Sequence, residues 1–333
     1  MANYDGPNYL VVAKCFYNFE CIRHTFSLPQ PVQYYPAHLP GYPLLIRIFD
    51  LFIPGPWAML IVTLLGSVFL TLISYHLFRM FLAADSSRWL ALLLLVFPTR
   101  LLVLRHIGAP ETWFLASTLA SIYFFRNHRF VLSALFAALA QSLKSPGVLL
   151  LAAYALIAAH QLYQTRNIIA IIKRYFVFLL VPLTIVIIFS FYQYTIGDFW
   201  AYFHSGDNFH LSFFPYSVFL SFRSWINTIW LEDIVYIFLL AFLALKQLYL
   251  KYKFDIVFIY PLIFTLASIF VAHRDISRYI APVYPFVFLA FAPYLTRKSS
   301  KVVFLLLLPA FLLYAINFIV GNTTPIADWT PYL

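Results

Sequence analysis

Residues 57–82 read WAMLIVTLLGSVFLTLISYHLFRMFL, a run of apolar residues in which the one formal charge, Arg79, stands near the end. A helix of about 20 apolar residues crosses the hydrocarbon core of a bilayer, so this stretch reads as a membrane-spanning helix. Further apolar segments follow at 88–99, 109–125, 130–144, 146–163, 175–196, 225–245, 254–272, 278–296 and 301–320. Runs of this length do not suit a transmembrane barrel, whose strands alternate over about ten residues. The composition agrees. It is 63% apolar and 10% charged, against about 25% charged in a soluble globular domain. The expected fold is therefore all-α, a polytopic transmembrane helical bundle of about ten membrane segments in a single domain, 1–333. Residues 1–56 form a first loop with an interfacial helix, 57–320 the bundle and 321–333 a tail.

Charge orients the chain. The short loops marked by RMFLAADSSR, RNHR, RNIIAIIKR, KQLYLKYK (with Asp255 just after it) and RKSSK hold 13 of the 22 Lys and Arg residues but only Asp85 and Asp255 among the 12 acidic ones. The positive-inside rule makes them cytoplasmic. The loops near 1–56, 100–110, 197–224 and 273–278 and the tail then face outward. The net charge of +10 suits cytoplasmic loops and lipid headgroups, with no nucleic acid implied. Residues 1–20 lack the basic start and apolar stretch of a cleavable signal peptide. Cys15 and Cys21 are the only cysteines. On one continuous helix they would sit on different faces, which favours two free thiols over a disulfide. Walker, dinucleotide, zinc-helix and serine-elbow patterns are absent from the sequence, so ATP-driven or nicotinamide chemistry is not supported.

The outward side carries the candidate chemistry. Asp5-Gly6-Pro7 reads as a turn into a helix, with Tyr9, Val12, Ala13 and Phe16 on an apolar face that suits the membrane interface. Asp5 is then either a simple cap or an ionised carboxylate able to act as a general base. In and just after QYYPAHLPGYPLLIRIFDLF the prolines at 36, 40, 43 and 54 forbid a continuous helix, and Tyr34, Tyr35 and Tyr42 suit an interfacial belt. Arg100, Arg105, His106 and Glu111 fall near the outer end of a helical hairpin, either as an Arg105–Glu111 ion pair or as cations awaiting an anion. Lys144 stands at a Ser-Pro-Gly break, where it can snorkel or reach a phosphate. In HRDISRYIAPVYPF, Asp275 either neutralises its neighbours or leaves Arg274 and Arg278 to grip phosphate oxygens.

Taken in order, YDGPNYL, YYPAHLPGYPLLIR, APETWFLASTLASIYFF, ALFAALAQSLKSPGVLLL and SRYIAPVYPF resemble the GT-C superfamily of integral membrane glycosyltransferases. The likeness is strongest to the mannosyltransferase branch similar to the second GPI mannosyltransferase, and it spans most of residues 4–290. The resemblance implies an inverting enzyme that moves a hexose, mannose foremost, from a polyprenyl-phosphate donor to an acceptor hydroxyl on a lipid or glycan. The chain is expected in the plasma membrane among membrane lipids, with its active face outward, the outward side being periplasm, cell exterior or organelle lumen. Asp5 matches the essential acid of the first outward loop. Such a layout places a transmembrane helix directly before that acid, so the chain is expected to lack its first helix, and restoring it would bring the count to eleven. Arg274 and Arg278, then Lys144 and Arg105, are the expected donor-phosphate ligands. Glu111, His106, Asp275, His38 and Tyr35 are expected on the acceptor side or in support. No cofactor is assigned, and a divalent metal lacks an evident acidic pair to hold it. The competing reading is a transporter or flippase of lipid-linked sugars, which would place charges near the midplane of broken helices.

Overall fold

A computed structural model describes residues 1–27, 30–206, 210–220, 222–226, 228, 231–324 and 326–333; part of the expected outer loop 197–224 lies outside the described residues. Helices account for the architecture, and the described residues otherwise pair as two isolated bridges, Asn3 with Thr323 and Leu211 with Val271. In chain order the helices are α1 (Gly6–Cys15), α2 (Phe19–Thr25), α3 (Gly41–Asp50), α4 (Gly55–Arg79), α5 (Ala84–Val96), α6 (Thr99–Leu104), α7 (Glu111–Arg126) and α8 (Phe130–Leu143). They continue as α9 (Val148–Thr165), α10 (Ile168–Tyr175), α11 (Leu180–Ile196), α12 (Ala201–His204), α13 (Leu231–Tyr252) and α14 (Ile256–Ser268). The last four are α15 (Ile276–Tyr279), α16 (Tyr284–Ala290), α17 (Ala292–Leu295) and α18 (Lys298–Gly321).

Among the described residues, five stretches are long and apolar enough to cross a membrane: Gly55–Arg79, Ser145–Thr165, Ile168–Ile196, Leu231–Tyr252 and Lys298–Gly321. The other expected segments are helical but shorter. The segment at 278–296 is broken into α15, α16 and α17 with a 3-10 turn at Ala281–Val283, because Pro282, Pro285 and Pro293 each remove a backbone donor and crowd the preceding turn.

The antiparallel pair α7–α8 forms the centre on which the site is built. Its helices meet through small residues. Ser121 and Ser133 share hydrogen bonds with the Tyr154 hydroxyl from α9, at 2.6 and 3.3 Å. α7 also lies close against α4. A Cβ added at Gly66 would stand 2.6 Å from Thr112 Oγ1 and Trp113 Cδ1, so only glycine allows this approach. The Trp113 indole donates to the Val62 carbonyl at 2.7 Å across the same contact.

Two expectations about the N-terminal region are corrected. α1 does not lie in an interface plane, since Gly6 to Ala13 and Cys15 are all buried, Asn8 included. Its surroundings are protein on every side, with Lys14 alone reaching Asp50 at 3.3 Å. Cys15 and Cys21 are disulfide-bonded, with Cα atoms 5.6 Å apart. The helix ends at Cys15, and Phe16 and Tyr17 adopt positive φ values of 46° and 66°. That left-handed turn reverses the chain and brings together two positions that a continuous helix would separate. Residues 321–333 are no free tail: Tyr332 is buried against Phe26 at a ring distance of 4.9 Å. Asn3 also donates to the carbonyls of Ile319 and Asn322 at 2.6 and 2.8 Å.

Under denaturing, non-reducing conditions the chain should take up no maleimide, and after reduction it should take up two equivalents per chain, as intact mass would record. Replacing both cysteines by serine should lower stability by about 2 kcal/mol for a loop this short, read as a fall in melting temperature in detergent.

Candidate active site

Four elements distant in sequence meet at one end of the α7–α8 pair. Glu111 opens α7 and is buried. Lys144 follows α8 in an extended conformation, φ −150° and ψ 141°, which lifts its side chain off the helix axis. The turn behind it is tight, since a Cβ at Gly147 would lie 2.5 Å from Gln141 Cα. Arg278 sits on the short helix α15. Asp5 stands at the N-cap of α1 but makes no side-chain capping bond, so its carboxylate is left for the cavity.

These groups form one ionic network. Arg278 Nε donates to Glu111 Oε1 at 2.7 Å, and Lys144 Nζ donates to the same oxygen at 2.8 Å. The far side of the Arg278 guanidinium faces Asp5 Oδ2 at 3.7 Å. His38 Nε2 lies 3.9 Å from Asp5 Oδ1. The His38 backbone is tethered by the Tyr17 hydroxyl at 2.5 Å, and its ring rests against Tyr9 at 4.8 Å. Burial alone would push the Asp5 carboxyl up, but the neighbouring His38 imidazole and the charges of Arg278 and Lys144 hold it well below the usual carboxylate range. Asp5 is thus ionised and electrostatically engaged.

A second pair lies alongside. Arg100 grips Asp275 with both sides of its fork, Nε to Oδ1 at 2.9 Å and Nη2 to Oδ2 at 2.5 Å, the bidentate geometry that favours arginine over lysine. The Arg100 guanidinium stacks on Phe318 from α18 at 4.0 Å and faces Tyr4 at 5.5 Å. Arg278 lies over the same Tyr4 ring at 4.9 Å. Tyr4 therefore stands between two cations, with its φ of 49° holding it there.

All of this lines one cavity of about 1120 Å3, at the upper end of the ~300–1,000 Å3 usual for small-molecule sites. Its polar end carries Asp5, Glu111, Lys144, Arg274, Arg278 and the His210–His273 pair. Apolar residues of α13, α14 and α16, such as Ile237, Leu240, Phe264 and Val287, line the same cavity, and Phe318 from α18 covers Arg100. Glu111 Oε2, His38 Nδ1 and Arg100 Nη1 are buried without a hydrogen-bond partner among the described residues, so the polar end has bonding capacity left over. Arg274 is exposed and makes no ion pair among the described residues. No group of three or more His, Cys, Asp or Glu among the described residues is placed to hold a metal.

Of the expected site residues, Asp5, His38, Glu111, Lys144, Arg274, Asp275 and Arg278 line this cavity. Three do not. Arg105 is 2% exposed and points away, donating to Ser67 and to the carbonyl of Leu94 at 3.1 Å. It joins α4 to α5 and reaches neither a phosphate nor Glu111, whose partners are Lys144 and Arg278. His106 is exposed outside the cavity, with Nδ1 against the Leu102 carbonyl at 2.8 Å. Tyr35 is fully buried, and its neighbour Tyr34 takes the place on the cavity wall. Asp275 neutralises Arg100, not the arginines beside it in sequence. Tyr4, His210 and Phe318 were not legible beforehand, since aromatic residues this common carry no individual signal. No protein-family model, curated protein or solved structure matches this chain.

Two outcomes follow. Burial, reinforced by His210, pushes the His273 imidazole down to about 4, and the Asp275 backbone N–H donates to its Nδ1 at 3.0 Å, a bond only the neutral ring can accept. Asp275, Arg274 and Arg278 are the charges facing it. The unfolded chain binds this proton near pH 6.5 and the folded one does not, so stability falls as pH drops from about 6.5 towards 4. Thermal melts of wild type and His273→Gln should diverge across that window and run parallel above it. Glu111→Ala leaves Lys144 and Arg278 without their shared partner, and should cost about 3–5 kcal/mol by detergent unfolding.

Proposed function

We propose that the chain is an inverting glycosyltransferase that transfers a hexose, mannose foremost, from a polyprenyl-phosphate donor to an acceptor hydroxyl. The observation that carries this reading is a carboxylate and a set of cations sharing one cavity with an apolar gallery. Asp5 faces Arg278, with Lys144 and Arg274 on the same walls and apolar residues of α13, α14 and α16 lining the same cavity. A lipid-linked sugar phosphate likewise joins a charged, hydroxylated head to an apolar chain.

In the reaction, the acceptor hydroxyl loses its proton to Asp5 as its oxygen bonds to the anomeric carbon. The bond from that carbon to the phosphate oxygen breaks on the opposite face, and the polyprenyl phosphate leaves with the electron pair. Negative charge grows on the leaving phosphate, so cations fixed beside it stabilise the transition state more than the ground state. The unpaired Arg274 is free to receive the phosphate first. Arg278 and Lys144 then exchange part of their contact with Glu111 for phosphate oxygens. This exchange also tunes the base. Phosphate at Arg278 offsets the charge that depresses Asp5, so its proton affinity rises when donor is bound. Glu111 Oε2 and His38 Nδ1 remain available to acceptor hydroxyls.

The membrane arrangement belongs to the same reading. About ten segments cross or enter the bilayer, and the cavity opens on the outward face of a plasma membrane. The Cys15–Cys21 disulfide supports this orientation, because such bonds persist in oxidising compartments and α1 carries Asp5 at its start. No metal is assigned.

Incubation of purified protein with radiolabelled polyprenyl-phosphate mannose and, separately, glucose should move one label to acceptor. Asp5→Asn should lower turnover by about 10²- to 10⁴-fold with membrane insertion intact. Unchanged turnover in that variant would remove Asp5 from its role. Label that crosses a vesicle membrane while still joined to lipid would instead identify a flippase.

A further inference from the structure

The cavity described above uses one end of the α7–α8 pair, and the other end carries a second concentration of charge. The turn between the two helices reads Arg126-Asn127-His128-Arg129, and α10 ends in Lys173-Arg174. The fold brings these stretches to a separate cavity of about 390 Å3, lined by His128, Arg129, Lys173 and Arg174 over apolar residues that include Phe130 and Phe176. No acidic residue lines it. α7 spans 16 residues, about 24 Å at 1.5 Å per residue, so this second cavity is distinct from the one holding Glu111.

The cations here are arranged but not neutralised. Arg126, in the same turn, is drawn aside by Asp255 at 2.6 Å and does not line the cavity. Arg174 donates to the neutral Gln161 Oε1 at 3.1 Å and lies 5.6 Å from the Phe130 ring centre, which fixes its guanidinium without offsetting its charge. Arg129 and Lys173 make no ion pair among the described residues. Like charges held together without a counter-ion repel, so an anion seated among them lowers the energy of the assembly.

The surroundings say what kind of anion. α10 has no buried residue, and Ile168, Ile169 and Ile172 on it are more than half exposed, as are Val131 and Phe176 at the cavity. A helix with isoleucines on one side and Lys173 and Arg174 at its end suits the plane where headgroups meet acyl chains. The geometry points to a binding site for an anionic phospholipid: its phosphate lies among Arg129, Lys173 and Arg174, and its acyl chains run over Val131, Phe176 and the α10 isoleucines. Both basic stretches belong to the set of loops rich in Lys and Arg, so the lipid belongs to the leaflet opposite the sugar-transfer cavity. Basic pockets between membrane helices hold phosphate headgroups in this way. The inference does not depend on the chemistry assigned to Asp5.

The test is native mass spectrometry of the full chain in detergent, with phosphatidylglycerol or phosphatidylcholine of matched acyl chains. Phosphatidylglycerol should be retained preferentially. Arg129→Gln and Lys173→Gln should each weaken that retention about fivefold, and the double variant by the product of the two. Arg88→Gln, an exposed cation paired with Asp85 at 3.3 Å, should leave it unchanged. All three positions are exposed, and matching melting temperatures would show that the fold is intact. Equal retention of the two lipids, or equal losses in Arg88→Gln, would overturn the site. Displacement of phosphatidylglycerol by millimolar inorganic phosphate would make free phosphate the ligand and overturn the lipid assignment.

Discussion

The rest of the structure depends on Arg278 standing between Asp5 and Glu111. A guanidinium taken out of water must be paired, and leaving it unpaired costs several kcal/mol. Its partners come from the first turn of α1 and the first turn of α7, while Arg278 itself sits on a four-residue helix in a proline-broken segment. Three otherwise independent parts of the chain are thus held at one point. Lys144, from the break after α8, closes the group on the same Glu111 oxygen. The network is both a tie between elements and a reservoir of charge, because any anionic ligand must compete with Glu111 for the same cations.

Around that point the molecule spends its polar groups economically. Arg100 and Asp275 satisfy each other, and two aromatic rings cover the arginine, one of them from α18. The last spanning helix is thereby joined to the first residues of the chain, and Asn3 strengthens the join through the carbonyls at the end of α18. The α7–α8 pair carries opposite arrangements at its two ends. At one end carboxylates offset the cations. At the other, Arg126 pairs with Asp255 while Arg129, Lys173 and Arg174 have no acidic partner among the described residues. The 16 residues of α7 separate the two by about 24 Å.

The comparison of expectation with structure is instructive at particular residues. Asp5, Glu111, Lys144, Arg274 and Arg278 were legible because charge in so apolar a chain is costly and stands out. Arg105 stood out for the same reason, yet it serves as a tie between α4 and α5 through Ser67 and the Leu94 carbonyl. Nothing in its own sequence neighbourhood distinguishes it from Arg100, five positions earlier, which reaches the cavity. The difference is the direction each side chain takes from α6. Tyr34 and Tyr35 differ in the same way, one on the wall and one buried. The disulfide was missed because the spacing argument assumed a helix running past Cys15, where the backbone instead turns left-handed at Phe16 and Tyr17.

The sequence by itself determined that the chain is helical and built for a membrane, since the length and apolarity of its runs leave their backbone groups few other ways to be satisfied. It also determined which loops are rich in Lys and Arg and poor in acidic residues, because loop charge is set residue by residue. Pairing was decided only by tertiary structure. Which carboxylate meets which cation depends on where helices start, bend and cross, and those angles come from contacts such as Gly66 against Trp113 and Gly147 against Gln141. Such contacts join residues far apart in the chain, and a local pattern carries no record of them.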